Sequence, residues 1–407
     1  MALEFIMNNL TFFIFVLVLT LFLIWKRKNL TLQGYFPFLY MLMYKTKLGL
    51  GKMKKWSDKH PRVFLYLAYL STFIGLVGAV FIIIFLIWQL WFILVNNIST
   101  GGGLVLPIQT DSGLDGAIPI FYVPFWYWLI ALFILAIVHE FAHGVIAERF
   151  KIKIKSSGFA FLGLLAPILP AAFVEPDEKQ MSKKPRWQQI AVLGAGSTSN
   201  LLFGFLFLFM WIFMAGPVVD NTMQFGDISF NSVLNESSLN DYNVSSGSLV
   251  AFDGVTDKNL IIDELSNLSV NSTHNLTINS SGNVSSYLIT TYPNSMDPSR
   301  GMIGISGLDV QLTNKPGFEF LGDIPIHFER LLFYIWFLNI AIGLMNLLPI
   351  WITDGGQIAR VVFSGWMKKE ENWLRAYHYV SLFSLLLIIF TVWPGTLISL
   401  LELLNFL

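Results

Sequence analysis

One short run of the sequence brings together side chains that can bind a metal and move a proton: HEFAH at residues 139–143. Residues four apart lie on the same face of a helix, so His139 and His143 can direct two imidazoles at one point. Glu140 lies beside that point, where its carboxylate can act on a metal-bound water. The spacing therefore predicts a zinc site of the hydrolytic kind, with Glu140 as its general base.

The surroundings of this run are apolar. The chain of 407 residues is 55% hydrophobic and holds only six histidines, and residues 121–148 have the composition of a membrane span. A charged residue at the centre of a membrane helix costs about 2.5–3.5 kcal/mol on insertion scales, so such residues usually serve a function. The alternative is a chance match, or histidines that hydrogen-bond within a helical bundle.

A hydrolytic zinc needs a third protein ligand, and Asp354 is the best candidate. The chain has no cysteine, which excludes thiolate ligands, thiol catalysis and disulfides. The remaining histidines lie in polar segments or next to spans: His60, His274, His327 and His378. Asp354 follows Pro349, which breaks a helix, and precedes two glycines that allow an irregular turn. The alternative role for Asp354 is to cap the next cytoplasmic segment.

Apolar runs of about 20 residues, the length that crosses a bilayer, predict an α-helical polytopic membrane protein with about six transmembrane helices. They lie at about 8–25, 64–95, 121–148, 188–216, 329–350 and 376–405. Most of the 26 Lys and Arg residues fall between spans 1 and 2, 3 and 4, and 5 and 6. We therefore expect these loops in the cytoplasm and both termini outside. The net charge of zero gives no reason to expect a nucleic-acid partner.

Three segments outside the spans have their own character. Residues 217–325, rich in Asn and Ser with short β-like runs, predict a soluble β-rich domain outside the membrane. Residues 158–178, apolar but interrupted by Pro167 and Pro170, predict a re-entrant loop or hairpin whose edge could pair with a substrate strand, or else a structural loop covered by protein. Residues 35–47 are expected along the inner membrane surface.

The β-rich segment also holds seven N-glycosylation sequons. They begin at Asn235, Asn243, Asn267, Asn271, Asn275, Asn279 and Asn283. Such sequons mark exposed loops of exported segments, although an Asn/Ser-rich stretch also produces them by chance. They agree with an outer position for this domain.

These features divide the chain into five parts. The predicted parts are 1–120 with helices 1 and 2, 121–216 with the first part of the catalytic core, 217–325 with the outer domain, 326–366 with the second part of the core, and 367–407 with the last helix. Spans 3 and 5 run in the same direction, so HEFAH and Asp354 arrive at similar depth, towards the cytoplasmic side.

Three motifs resemble those of the site-2 protease family of intramembrane zinc metalloproteases. HEFAH matches the HExxH of that family, NLLPIWITDGG at 346–356 is similar to its N-x-x-P-x-x-x-x-D-G, and GAGSTSN at 194–200 is similar to a small-residue stretch that ends in asparagine. The order of spans 3 to 5 is also that of the family. The outer insert resembles a PDZ domain through GSLVAFDGVTDKN at 247–259, although Ser248 stands where aspartate is usual.

The resemblance implies a zinc ion held by three residues: His139, His143 and Asp354. Zinc would lower the pKa of its water and polarise the scissile carbonyl, and Glu140 would move protons from the water to the leaving amine. Asn346, with Asn200 behind it, would support the substrate or its developing oxyanion. For both asparagines the alternative is hydrogen bonding between helices.

The resemblance also implies a substrate and a location. The substrate would be a membrane protein cut within or near a transmembrane segment, in regulated intramembrane proteolysis, by an enzyme embedded in the lipid bilayer of the cell membrane. The active site would lie near the cytoplasmic side and the PDZ-like domain outside the cytoplasm. An upstream site-1-type protease is the implied partner.

Three other functions agree with parts of the sequence. An ion or solute transporter can use membrane His and Asp as a relay, but the two halves of this chain show no repeated hydropathy. An inactive zinc-binding membrane scaffold would not need Glu140. Another class of membrane metalloprotease, with HExxH facing the cytosol, would draw its third ligand from a different histidine or glutamate.

Overall fold

The computed structural model describes residues 6–35, 39–96, 102–108, 120–164, 166–280, 282–294 and 297–397. The chain divides into two compact units, Met1–Trp211 with Arg330–Leu407, and Ile212–Glu329. The end of the last predicted span, beyond residue 397, lies outside the described residues.

The described chain contains eleven α-helices, which we number in chain order. They are α1 (Leu10–Trp25), α2 (Leu50–Lys59), α3 (Pro61–Val95), α4 (Phe125–Arg149), α5 (Glu178–Met181), α6 (Arg186–Met210), α7 (Gly216–Thr222), α8 (Lys258–Ser266), α9 (Ile324–Met345), α10 (Asp354–Trp366) and α11 (Glu370–Val392). One π turn, Trp211–Ala215, joins α6 to α7. Prolines precede or open the long helices α3, α4 and α6, where a missing N–H costs nothing.

The strands fall into two groups. The first unit contains β1 (Leu30–Tyr35), β2 (Leu39–Thr46), β3 (Leu104–Leu106), β4 (Ile120–Tyr122), β5 (Ile154–Leu164) and β6 (Ala166–Pro176). The second contains β7 (Met223–Phe230), β8 (Ser232–Val233), β9 (Gly247–Phe252), β10 (Thr273–Ser280), β11 (Asn283–Thr290), β12 (Tyr292–Pro293), β13 (Gly301–Met302), β14 (Ile305–Ser306) and β15 (Asp309–Asn314).

Five helices of the described chain are long and apolar enough to cross a membrane: α3, α4, α6 with its continuation to Thr222, α9 and α11. They coincide with five of the predicted spans, and the chain is an integral membrane protein of mainly helical fold. The first predicted span, 8–25, corresponds to α1, which has 16 residues. At 1.5 Å per residue α1 is about 24 Å long, shorter than the hydrocarbon core of about 30 Å. A sixth span therefore stays a prediction.

Glycines let α3 and α6 approach closely. A Cβ atom on Gly194 would lie 2.5 Å from the carbonyl oxygen of Ser71 and 3.4 Å from the Cα of Gly75. Lipid tails are as apolar as leucine, so membrane helices associate mainly through close packing of this kind. The contact fixes α6, whose other side faces α4.

Four antiparallel strands of the first unit form one sheet in the order β1-β2-β5-β6. The segment predicted as a re-entrant loop or hairpin, 158–178, is largely the β5–β6 hairpin, and β6 is an edge strand of the described sheet. The interpretation of residues 35–47 as a segment lying on the membrane surface missed β2, which pairs with β1 and β5. The run LYMLMY is apolar on both faces, so it lacks the period-two alternation that indicates a strand.

The second unit is built on a five-stranded antiparallel sheet in the order β11-β10-β9-β7-β15, with the helix α8. Its core consists of fully buried aliphatic side chains: Ile228, Leu249, Ile261, Leu276, Ile278 and Ile289. The β-rich character predicted for residues 217–325 is confirmed, and three of the predicted runs fall in β9, β10 and β11. The resemblance to a PDZ domain stays a prediction.

A chain of hydrogen bonds ties the turn after β9 to the start of β10. Asp253 Oδ2 lies 2.7 Å from His274 Nδ1, and His274 Nε2 lies 2.8 Å from Ser272 Oγ. The order is that of a Ser–His–Asp hydrolase triad. However, Ser272 donates its N–H to Thr291 Oγ1 and its Oγ lies 2.7 Å from the carbonyl oxygen of Ser269. The serine is thus part of the backbone hydrogen bonding, and we interpret the chain as structural.

The pH dependence of this unit follows from Asp253. Burial alone would raise the pKa of Asp253, but hydrogen bonds from His274 and the N–H of Asn275 outweigh it and hold the pKa below its usual value. A carboxylate with a lowered folded pKa stabilises the fold above the unfolded pKa of about 3.9, and the contribution is lost as the pH falls through the folded value. We expect Asp253→Asn to speed amide exchange in β10 at pH 7, and the difference from wild type to shrink as the pH falls through the lowered pKa of Asp253. Hydrogen–deuterium exchange of the detergent-solubilised protein, corrected for the intrinsic rate, measures this. Equal protection of both proteins at pH 7 would contradict it.

Candidate metal centre and active site

Helix α4 and the first residue of helix α10 supply the polar side chains that converge at the site. Helix α4 carries His139, Glu140 and His143, and the loop between α9 and α10 leads into Asp354. Helix α6 packs alongside α4. Buried apolar residues hold α4 and α6 together: Val145, Ile146, Ala147, Ala191, Val192 and Ala195.

Three potential ligand atoms meet at one point. Asp354 Oδ2 lies 3.1 Å from His139 Nε2 and 3.4 Å from His143 Nε2. The two imidazole rings have centroids 4.7 Å apart and are inclined at 73°. Both histidines are buried, with less than a tenth of their surface exposed. Within the described residues, this is the group of three His, Asp or Glu side chains whose ligand atoms lie close enough to hold one metal ion.

The second nitrogen of each ring fixes which nitrogen faces this point. His143 Nδ1 lies 2.6 Å from the carbonyl oxygen of Val192. A carbonyl oxygen only accepts, so His143 Nδ1 carries the proton and Nε2 presents a lone pair. His139 Nδ1 lies 3.0 Å from the side-chain amide nitrogen of Asn200, whose Oδ1 has no hydrogen-bond partner in the described part of the chain. Because the amide oxygen and nitrogen exchange places by rotation, Asn200 can accept from His139 in the same way.

Gly196 of α6 lies directly against both imidazoles. A Cβ atom at this position would lie 2.4 Å from the Nε2 atoms of His139 and His143. Real Cβ atoms do not approach other atoms so closely, so only glycine leaves the ligand atoms free. The backbone of α6 thus forms one wall of the site.

The loop 346–353 presents Asp354. Thr353 caps α10, because its Oγ1 accepts a hydrogen bond from the N–H of Gly356 at 3.2 Å. The N–H of Gly355 donates to the carbonyl oxygen at the start of the loop at 2.8 Å. A Cβ on Gly355 or Gly356 would lie 1.9 or 1.8 Å from a loop carbonyl oxygen. The capping role considered for Asp354 is therefore filled by Thr353, and the carboxylate of Asp354 is turned towards the histidines.

Glu140 contacts the edge of the sheet. Its Oε2 accepts a hydrogen bond of 2.7 Å from the backbone N–H of Val174 in β6. Both residues line a mainly apolar cavity of about 840 Å³, whose walls come from α2, α3, α4, α6, β5 and β6 and include Phe133, Ile137 and Phe173. The carboxylate next to the first histidine thus reaches a space large enough for several side chains.

Comparison with known proteins agrees with this geometry. The family model described as Peptidase family M50 matches residues 127–389, well over half of the chain. The chain belongs to peptidase family M50. A protein of Methanocaldococcus jannaschii described as "Uncharacterized protein MJ0971" is 45% identical over 82 residues, which is 20% of this chain and 21% of that protein. The match thus spans about a fifth of the length of that relative.

Members of family M50, the site-2 protease family, are in general zinc-dependent membrane metallopeptidases, and the residues of this chain fit zinc. Zinc bonds of about 2.0–2.1 Å in a tetrahedral site place ligand atoms about 3.3 Å apart, which is close to the observed separations of 3.1 and 3.4 Å. Asp354 Oδ2 is buried and accepts no hydrogen bond of good geometry from the described residues. A buried carboxylate oxygen left in this state is costly unless a cation binds it.

The six predicted site residues of this M50 protein occupy four kinds of position. His139, His143 and Asp354 converge, and Glu140 lies beside them. Asn200 contacts His139 rather than the cavity. The Asn346 side chain is half-buried and makes no hydrogen bond with a described residue, while its carbonyl oxygen accepts from Gly355.

Three groups that contact the site residues were not identified from the sequence. These are the Gly196 Cα surface, the Val192 carbonyl and the Val174 N–H. The two backbone groups carry no sequence signal, because every residue offers the same atoms. Gly196 belongs to GAGSTSN, and a helix that packs a glycine against HExxH is the signal that could have identified it.

Gly196→Ala is expected to abolish metal binding. Its methyl group would occupy the space next to both Nε2 atoms, and we expect the affinity for zinc to fall by more than about a hundredfold. Gly204→Ala is the matched control, because its methyl group would meet Ile340 of α9 instead. Metal content after dialysis against a zinc buffer measures the effect. Equal zinc content in the Gly196 and Gly204 variants would contradict the assignment.

Asn200 is expected to act through an accepting oxygen. Asn200→Leu removes the partner of His139 Nδ1 and should lower zinc affinity about 10–100-fold. Asn200→Asp keeps an acceptor at the same place, so its affinity should stay within about threefold of wild type. A zinc competition titration with a chelating dye distinguishes them. Loss of affinity in both variants would show that Asn200 is required for packing instead.

Proposed function

We propose that this protein is a zinc-dependent endopeptidase that cuts other membrane proteins within or near their transmembrane segments. The observation that carries the proposal is the convergence of His139, His143 and Asp354 at one buried point, with both histidines on α4, a helix apolar enough to span a membrane. Membership of family M50 supports the same chemistry. Neither a solute pathway nor an inactive zinc-binding scaffold needs a glutamate next to this point.

The three converging residues would hold the zinc ion through two imidazole nitrogens and one carboxylate oxygen. Zinc, when bound, supplies Lewis acidity that lowers the pKa of water and polarises a carbonyl. Glu140 then takes a proton from the attacking water and gives it to the leaving amine. Its place one residue after His139, at the edge of the cavity, brings the carboxylate within reach of both water and substrate.

The substrate would enter as an extended strand. A membrane helix satisfies all its own backbone groups, so its peptide bonds must be unwound before hydrolysis. The cavity that Glu140 and β6 line is mainly apolar, as a segment leaving the lipid requires. An unwound segment can regain hydrogen bonds by adding to the edge of β6.

Asn346 is our candidate for stabilising the developing oxyanion. Its side chain makes no hydrogen bond with the described residues, so its amide group is available to donate to a substrate oxygen. It lies at the start of the loop that ends at Asp354, which ties its position to that of the ligand. Asn200, the second residue considered for this role, is better explained by its contact with His139.

The setting of the reaction follows from the charge distribution and the family resemblance. The basic loops favour a cytoplasmic position for the ends of α4 and α9 that carry the site. The β-rich unit would then lie outside the cytoplasm, where a PDZ-like sheet can select chain ends left by an upstream site-1-type protease. Release of a regulatory protein from the membrane is the expected outcome.

Glu140→Gln tests the proposal. The amide cannot accept the proton of water, so cleavage of a membrane-anchored test substrate in reconstituted vesicles should fall at least about a hundredfold. Zinc content should stay unchanged, because Glu140 is not one of the three converging ligands. Gel analysis of the substrate and metal analysis of the protein measure both.

The controls separate the remaining functions. Asp354→Ala should lose both zinc and cleavage, since it removes one of three ligands. A wild-type protein that binds zinc but cleaves no membrane substrate would support the inactive scaffold. Equal cleavage by wild type and Glu140→Gln would refute the assignment of Glu140.

A further inference from the structure

The outer edge of β6 has unusually few hydrogen-bond donors. Its pairing with β5 is continuous from Leu169, opposite Leu162, to Glu175, opposite Ser156. Backbone groups of a strand alternate between its two edges, so residues 170, 172 and 174 turn away from β5 together. Residue 170 is proline, which has no N–H. This part of the edge therefore offers two donors, the N–H groups of Ala172 and Val174.

One of these two donors is already occupied. The N–H of Val174 donates to Glu140 Oε2 at 2.7 Å, which independently shows that this N–H faces away from β5. The carboxylate that would act as the general base is therefore bound to the strand that would receive the substrate. Both lie in the wall of the same apolar cavity.

We propose that the hydrogen bond between Glu140 and Val174 is a latch that substrate opens. This inference rests on the proposed function and concerns its regulation. A substrate strand that pairs with β6 brings a carbonyl oxygen to the Val174 N–H and displaces the carboxylate. The N–H stays satisfied, and Glu140 becomes free to turn towards the metal centre. The base is thus released when a peptide bond is in place.

The latch makes a prediction that a simple supporting contact does not. If the substrate and Glu140 compete for one N–H, removal of the carboxylate must strengthen substrate binding. If Val174 only orients Glu140 and the two stay bonded, removal of the carboxylate leaves binding unchanged. Binding, measured without hydrolysis, therefore separates the two cases.

The experiment uses the full-length protein, freed of metal with a chelator, in phosphatidylcholine vesicles. The probe is a fluorescent synthetic peptide with one apolar span interrupted by Gly-Pro, which presents an extended stretch. We expect Glu140→Ala to bind this probe about tenfold more tightly than wild type, because hydrogen bonds to charged groups are among the stronger ones. Glu140→Gln keeps a neutral acceptor in place and should gain less than Glu140→Ala.

A double-mutant cycle locates the effect at Val174. Val174→Pro removes the N–H without removing a bond to β5, so adding Glu140→Ala to it should bring no further gain. Ala172→Pro is the matched control. It removes the other edge donor, so it should weaken probe binding yet keep the gain from Glu140→Ala.

A second measurement needs no probe and no proline variant. Hydrogen exchange at the Val174 amide should be at least about tenfold faster in Glu140→Ala than in wild type. Unchanged probe affinity in Glu140→Ala, or a gain that persists with Val174→Pro, would overturn the latch, as would failure of every variant to bind the probe. These outcomes do not depend on hydrolysis, so they are distinct from a failure of the protease assignment.

Discussion

Two imidazole nitrogens and one carboxylate oxygen meet at one buried point, and the backbone of Gly196 lies directly against it. This constraint determines most of what surrounds it. The helix that closes the site must approach through its backbone, and Gly196 makes that possible. The same helix also supplies partners for both Nδ1 atoms: the Val192 carbonyl accepts from His143, and Asn200 accepts from His139 once its amide oxygen and nitrogen exchange places. About two turns of α6 therefore both leave room for a metal and set the tautomers that can bind it.

The position of α6 depends in turn on contacts farther from the metal. Gly194 packs its backbone against Ser71 and Gly75 of α3, while Gly196, two residues later, faces α4. Small residues on two sides of one turn let α6 approach both α3 and α4 closely at this level. On the opposite side of the site, Gly355 and Gly356 allow the loop before α10 to fold tightly enough to deliver Asp354. Glycine is thus used where a Cβ atom would push a ligand or its support away.

The sequence was sufficient for the features that depend on side-chain identity. HEFAH and Asp354 could be placed together because helix periodicity and span direction are readable from residues and charges. A hairpin was among the interpretations of residues 158–178, but its pairing with β2 and β1 in one sheet could not be predicted, since these apolar strands alternate no more than a buried helix does. The same limit applies to the Val174 N–H and the Val192 carbonyl, which are backbone atoms placed by tertiary structure. The family resemblance implied that Asn200 supports the substrate or its oxyanion behind Asn346, and only the 3.0 Å contact with His139 indicates a role at the metal ligand.

The edge of β6 shows how an apolar environment restricts a strand that must stay available. An unpaired N–H buried away from water costs about 1–3 kcal/mol, so a free edge facing an apolar cavity is expensive. Proline at position 170 removes one such group, and the Glu140 carboxylate satisfies another at Val174. The cost that remains falls mainly on Ala172, and a partner strand would remove it. The same few backbone groups of a sheet edge can therefore hold the base and favour binding of a substrate strand. Few donors are unsatisfied before the substrate arrives, and their number need not rise when it binds.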